Sequence, residues 1–599
     1  MMNKTILAVT QAIVERSAER RQAYLARIEQ QAKQGPNRSQ LACGNLAHTV
    51  ATCSSAEKTR ILDFTTVNVG IVTAFNDMLS AHQPYETYPA KIKQVLTAKG
   101  HSAQVAGGVP AMCDGVTQGQ DGMDISLYSR DLIAQATAVG LSHNTFDATL
   151  LLGICDKIAP GQIMGAMSFG HLPTMFIPSG PMSTGITNDE KVNIRQQYVA
   201  GNIDKAALQE MECNAYHSVG TCTFYGTANT NQLVFEAMGL MLPGSAFVAV
   251  NSPLREALTQ LGAETIATTA ANGQDYRPIA KVLDEKSIVN GLVALLASGG
   301  STNHTIHMIA IARAAGFIIT WDDFTELANA VPQLAKMYPN GPADINEFER
   351  AGGVPMLMSR LAERGLIHMD ALPVYGTMHD YLTRPKLEDG QLVFTPVEES
   401  LNPEIIAAKG ADFNPQGGVK VFDGNLGRGV MKTSAVAKEN QVLSAPAIVF
   451  ESQHEVADAY QARQLNQDCI VVVRHNGPAA NGMPELHKLM PILGNVMKAG
   501  YKTALVTDGR LSGASGKVPS VIHMTPEAQK DGPLAYIQTG DMISINAETG
   551  ELKAIDVDFS TRQPFHPDLS DIHMGSGREL FTIFRKVISS AETGATILD

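Results

Sequence analysis

The chain has 599 residues, too many for one hydrophobic core, and its 44% hydrophobic and 18% charged content is that of an ordinary globular protein rather than a disordered one. A net charge of −13 argues against nonspecific nucleic-acid binding, which needs a basic surface to release counterions from phosphates. Seven scattered cysteines, an odd number, do not form a disulfide framework and indicate a reduced, cytoplasmic protein.

In chain order, the N-terminal segment is predicted to be an amphipathic helix with Ile6, Val9, Ile13 and Ala18 on one face, within a first helix over about 4–33 and before a second over 36–60. It carries no small-residue cleavage site, and no run approaches the length of a membrane span, so neither secretion nor a membrane partner is expected. Strand, loop and helix then alternate. The apolar runs 67–75, 103–110, 146–153 and 172–180 each end in a polar loop, with helical patterns at 85–99, 126–139 and 161–168. Such alternation implies a parallel sheet with right-handed crossovers, whose strands deliver their following loops to one edge. Cys113 and Cys155, 42 positions apart, are therefore expected to be neighbours.

Residues 188–384 are mainly helical in pattern, interrupted by 220-GTCTFYGTANTNQ-232 and 298-SGGSTNHT-305, each leading into a helix. In the second, Ser301 or Thr302 could act as the cap and leave N–H groups free for an anion such as a phosphate. Helical periodicity stops in the polar stretch 385–400. The expected division is an α/β domain over 1–390, with a parallel sheet and added helices, and a barrel-like or mixed β domain over 391–599. The second has β-like runs at 418–422, 447–452, 469–475, 503–509 and 518–524, and a hairpin over 542–557 around Glu548-Thr549-Gly550.

Three groups of residues carry chemistry. Cys113, Cys155 and Cys222 lie in Gly-rich loops, whereas Cys43, Cys53, Cys213 and Cys469 fall in regular patterns that suit buried, inert thiols. Dispersed thiolates differ from the paired spacings of a zinc ribbon and suit an iron cluster with one iron left open. Asp114, Asp156 and Glu485 suit Mg²⁺ or Mn²⁺, although aspartates in turns also cap backbone N–H groups. Ser512, in 507-TDGRLSGASGK-517, could be a reactive hydroxyl; Arg510 stands where a hydrolase nucleophile elbow would have glycine. No phosphate-binding P-loop is present.

Together VPAMCDG, GICDKIAPG, GTCTFYGTANTNQ, GGSTNHT, NGMPEL and TDGRLSGASG resemble, in one fixed order over about 65–540, the dihydroxyacid and 6-phosphogluconate dehydratase family. Segments 110–123, 140–147, 168–173 and 221–229 are most similar to its branch acting on a phosphorylated sugar acid. The resemblance implies a hydro-lyase, a C-terminal swivelling β-barrel domain and a homodimer. It further implies a [4Fe-4S] cluster on Cys155 and Cys222, Mg²⁺ on Asp114, Asp156 and Glu485, a carbamylated Lys157 and Ser512 as the catalytic base. The dihydroxyacid branch has a further cysteine ligand after the first strand, where this chain reads 75-FNDMLSAHQP-84; Cys113 is the substitute candidate. A dehydratase of another sugar acid or of branched-chain dihydroxy acids, or a non-enzymatic iron-sulfur redox sensor, are the alternatives.

Overall fold

The structure is a computed structural model that describes residues 2–33 and 37–598. The first helix, Lys4–Ala32, is capped by Asn3, whose side chain accepts from Thr5 N at 2.8 Å. Its buried stripe runs Ile6, Val9, Ile13 and then Ser17 rather than Ala18, because the next helical turn falls four residues on. Ser17 repays its burial by accepting a hydrogen bond from Ile318 N at 2.8 Å. The predicted helix over 36–60 begins in residues outside those described and is otherwise divided. It comprises a 3₁₀ turn at Asn37–Gln40 and short helices at Cys43–Val50 and Ser55–Leu62. Ser54 and Glu57 form a reciprocal capping box that starts a new helix where continuation was expected.

The first sheet contains β1 (Asn68–Thr73), β2 (Ser102–Gly108), β3 (Ala148–Leu152) and β4 (Thr174–Phe176), all parallel, in the order β2-β1-β3-β4. Every residue of β3 is buried, as the uninterrupted apolar run requires of a strand covered on both faces. The helix Ile158–Met167 follows β3 and packs on Ser126–Leu141. A Cβ at Gly161 or Gly165 would run into the Arg130 or Ala134 carbonyl, so these two glycines set the close approach. Pro160 and Gly161 thus belong to the helix, not to a loop; proline is tolerated in a first turn, where its missing N–H has no intrahelical partner.

The helical region runs from Asn188 to Glu363. A hairpin of β5 (Thr383–Glu388) and β6 (Gln391–Pro396) follows, in the polar stretch where helical periodicity stops. Asp389 and Gly390, both at positive φ, make its two-residue turn.

The second sheet comprises β7 (Val419–Phe422), β8 (Arg428–Lys432), β9 (Val442–Phe450), β10 (Cys469–Val473), β11 (Thr503–Thr507), β12 (Ser520–Thr525), β13 (Met542–Asn546) and β14 (Glu551–Ala554). Their order is β14-β13-β9-β10-β11-β12-β8-β7, with β9 to β12 parallel and the flanks antiparallel. Its two edges meet: Asp423 N–H donates to Gly550 O at 2.9 Å and Leu552 N–H to Asp423 O at 3.1 Å. This contact nearly closes the sheet into the expected barrel and protects its edges. Ile470 and Val472 fill the interior with Ala504 and Val506, while Val471 and Val473 join the larger core, the period-two split of a barrel strand. Among the described residues, no helix is long and apolar enough to cross a membrane.

Candidate active site

The loops after β2 and β3 lie side by side, as parallel topology requires. Cys113 immediately precedes the short helix Asp114–Thr117, and Cys155 follows β3. The two thiols shift each other's ionisation, Cys113 downward and Cys155 upward, and Cys222, in the loop before the helix Thr227–Ala237, lies within electrostatic range of both. Burial, then the charge of Cys113, pushes the Cys222 thiol up to about 12. Cys155 adopts φ +23°, a strained conformation for a non-glycine residue, and its carbonyl accepts from Asn231 Nδ2 at 3.1 Å. Of the other thiols, Cys469 is buried in β10, whereas Cys43 and Cys213 are exposed because their helices offer that side to solvent.

The carboxylates come from three loops. Asp114 is buried and accepts from Ser126 Oγ at 2.5 Å, from Arg510 Nη2 at 2.7 Å and from Lys157 Nζ. Burial would raise its carboxyl, but Arg510 and Lys157 outweigh that cost and hold it below the usual carboxylate range. Asp156 is 3.5 Å from Lys157 Nζ, and burial leaves it raised. Glu485 is buried and pushed up to about 7, first by burial and then by Asp114. It lies in a β-bridge with Arg510 rather than in the first turn of the helix Leu489–Lys498.

Arg510 is thus the tie between the two halves of the site. It follows β11, donates to Met483 O at 2.7 Å and reaches across to Asp114. Its Nη1, together with His82 Nδ1 and Asn303 Oδ1, is buried and has no hydrogen-bond partner among the described residues, which is costly unless a ligand or water supplies one. Ser512, two residues on, is half-buried, and its Oγ accepts from Ala514 N at 3.3 Å.

The loop 298–305 has a different role from the one expected. Ser301 Oγ does accept from Asn303 N, but Ser301, Thr302, Asn303 and Thr305 are buried and bonded to one another and to their neighbours. Asn303 Nδ2 donates to Leu511 O at 3.3 Å, so this helix start seats the serine loop. A separate cleft of about 770 Å³ is lined by Ser183, Ser218, Phe247, Asp344, Glu347 and Arg350 and by none of the predicted site residues.

The donor set suits the two groups that the sequence resemblance implies. Three thiols lie within electrostatic range of one another, and three carboxylates face two cations. Among the described residues, no three His, Cys, Asp or Glu side chains are disposed as a ready metal cage, because Asp114 is turned to Lys157 and Arg510.

Comparison with known proteins gives the family. The models of the N- and C-terminal domains of the dihydroxy-acid/6-phosphogluconate dehydratases match residues 67–381 and 404–595. The chain belongs to that family. It is 57% identical over 601 residues, all of both chains, to the phosphogluconate dehydratase of Escherichia coli. It is 52% identical to that of Pseudomonas aeruginosa, covering 99% of this chain and 98% of the relative. The dihydroxy-acid dehydratase of Methanoregula boonei is 32% identical over 80% of this chain and 84% of its own length.

Sequence reasoning gathered the cysteines and carboxylates but missed Arg510 as a partner of Asp114, and missed Ser126, His82 and Asn231 altogether. Arg510 did carry a signal, as a cation at the end of an apolar strand; the others are ordinary polar residues whose role depends on neighbours distant in sequence.

Proposed function

We propose that the chain dehydrates 6-phospho-D-gluconate to 2-dehydro-3-deoxy-6-phospho-D-gluconate, the dehydration step of the Entner-Doudoroff pathway. The identity of 57% to a phosphogluconate dehydratase along the entire chain, against 32% to a dihydroxy-acid dehydratase, carries the choice of substrate.

In this reading Cys155, Cys222 and Cys113 hold a [4Fe-4S] cluster, and Asp114, Asp156 and Glu485 hold Mg²⁺ or Mn²⁺. When bound, these groups supply Lewis acidity toward the leaving C3 hydroxyl and toward the charge that develops at C1 and C2. Ionised Ser512 Oγ takes the C2 proton, the C3–O bond breaks, and the departing hydroxide takes that proton back from the serine and leaves as water; the resulting enol moves its hydroxyl proton to C3 to become the 2-keto acid. The Ala514 N–H already directed at Ser512 Oγ favours its ionised form. Lys157 and Arg510 face the three carboxylates and offset part of their charge. Carbamylation of Lys157 would replace a cation by an anion, leave Arg510 facing four negative groups and create the demand for a divalent cation.

A cytoplasmic setting is supported by seven free thiols. A homodimer would cover Leu580, Ile583 and Val587, which are exposed at helical spacing near the C-terminus. The deciding experiment is an anaerobic assay for 2-keto-3-deoxy-6-phosphogluconate, with iron and sulfide counted on the same sample. Faster turnover of a non-phosphorylated sugar acid or of a branched-chain dihydroxy acid would overturn the substrate, and a cluster without any dehydratase turnover would favour a redox sensor.

A further inference from the structure

Lys432 closes β8 in the barrel, far in sequence from the thiols, carboxylates and serine of the site, and its side chain is buried. Among the described residues, the one hydrogen bond of this side chain runs from Nζ to Gly513 O at 2.7 Å. Burial alone accounts for the downward displacement of its amine, to about 7, with no carboxylate contributing. An amine buried without a counter-charge is costly and calls for a compensating role.

The loop above it is fixed peptide by peptide. Leu511 O accepts from Asn303 Nδ2 at 3.3 Å, Ser512 O from Ser515 N at 2.9 Å, and Gly513 O from Lys432. A Cβ at Gly513 would meet Ser301 and the Thr227 amide, and one at Gly516 would meet Ala435 and the Lys432 stem, so the loop is clamped from both sides. Two of these three carbonyls are held by neutral amides. Only the one that follows Ser512 is held by an amine able to carry charge.

We propose that Lys432 is the positioning residue of the serine loop: it fixes the peptide after Ser512 and, in its protonated form, holds a positive charge one residue from the serine, which lowers the cost of ionising it. The proposal rests on the reading of Ser512 as the base. A charge fixed near a developing oxyanion acts in the chemical step, whereas a structural prop acts on folding.

The test uses full-length, cluster-loaded protein and 6-phosphogluconate with protium or deuterium at C2. Lys432→Met should lower kcat about 100-fold, the scale set by small misplacements of reacting groups, with KM changed less than about threefold. Iron and sulfide content should equal the parent's, and the deuterium effect on kcat should rise as proton removal becomes limiting. Lys432→Arg, which keeps the charge, should recover about tenfold of the loss, a gain of one decade in rate. Three results overturn the proposal: a Lys432→Met kcat within about fivefold of the parent, equal losses in both variants with an unchanged isotope effect, or loss of iron and sulfide in step with activity in both. Failure of the serine reading shows separately, as Ser512→Ala protein that keeps its turnover.

Discussion

In the first sheet the buried strand β3 ends in Cys155, Asp156 and Lys157; in the second, the parallel strand β11 ends in Asp508, Arg510 and Ser512. Both strands deliver their loops at a carboxyl end, but the loops are held by opposite means. The first packs thiols, carboxylates and a lysine against one another, so each charge depends on the next. The second is held mainly through its backbone, by Asn303, Lys432 and Ser515, which leaves the Ser512 hydroxyl with one local contact. Under the proposed function the difference has a reason: metal binding needs concentrated charge, whereas a base needs a fixed peptide with a free side-chain oxygen. Arg510, rooted in the second loop and bonded to Asp114 in the first, joins the two strategies.

That contrast can be broken by substitution. Ser512→Ala should cost about 10²–10⁴-fold in kcat, the usual contribution of a general base, with iron and sulfide unchanged. Retained turnover would remove the second loop from the chemistry. On the other side, Cys155→Ser, Cys222→Ser and Cys113→Ser should each abolish or alter the visible absorbance of anaerobically purified protein, while Cys469→Ser leaves it intact. A parental spectrum in Cys113→Ser would mean that a residue other than Cys113 completes the cluster.

Arg510→Met should destabilise metal-free protein by about 3 kcal/mol, since it leaves Asp114 with one of its two buried cations. Chemical denaturation measures the loss, and a change below about 1 kcal/mol would show that Lys157 alone suffices.

A pH-dependent effect should appear away from the site. Glu236 is buried, accepts from Gly244 N at 2.7 Å and Ala246 N at 2.8 Å, and is pushed up to about 8 by burial. Its folded value exceeds the unfolded one, so the folded state holds the proton more tightly. Stability should therefore fall as pH rises from about 4.5 through 8, and Glu236→Gln should flatten that decline in thermal midpoint. Smallest of all, Lys91→Ala removes an exposed ion pair with Glu256 and should change stability by less than about 0.5 kcal/mol.

The sequence by itself determined the alternation that builds the parallel sheet, because apolar runs of strand length ending in polar loops have few other solutions. It also determined that Cys113 and Cys155 would meet, since parallel strands deliver their following loops to one edge. The barrel strands were legible for the same reason, with one exception: β8 was passed over, and so was the Asp389-Gly390 hairpin, whose turn signal sits in a polar stretch. Ser17 in place of Ala18 is a further local miss, in which helical spacing overrode apparent hydrophobicity.

Only the tertiary structure decided which charges balance which. That Arg510 reaches Asp114, that Lys432 lies beneath Gly513, and that 298–305 seats the serine loop all depend on the first sheet and the barrel meeting. Electrostatic partnership is set by distance through space and by exclusion of water, and neither quantity is written in the order of residues along the chain.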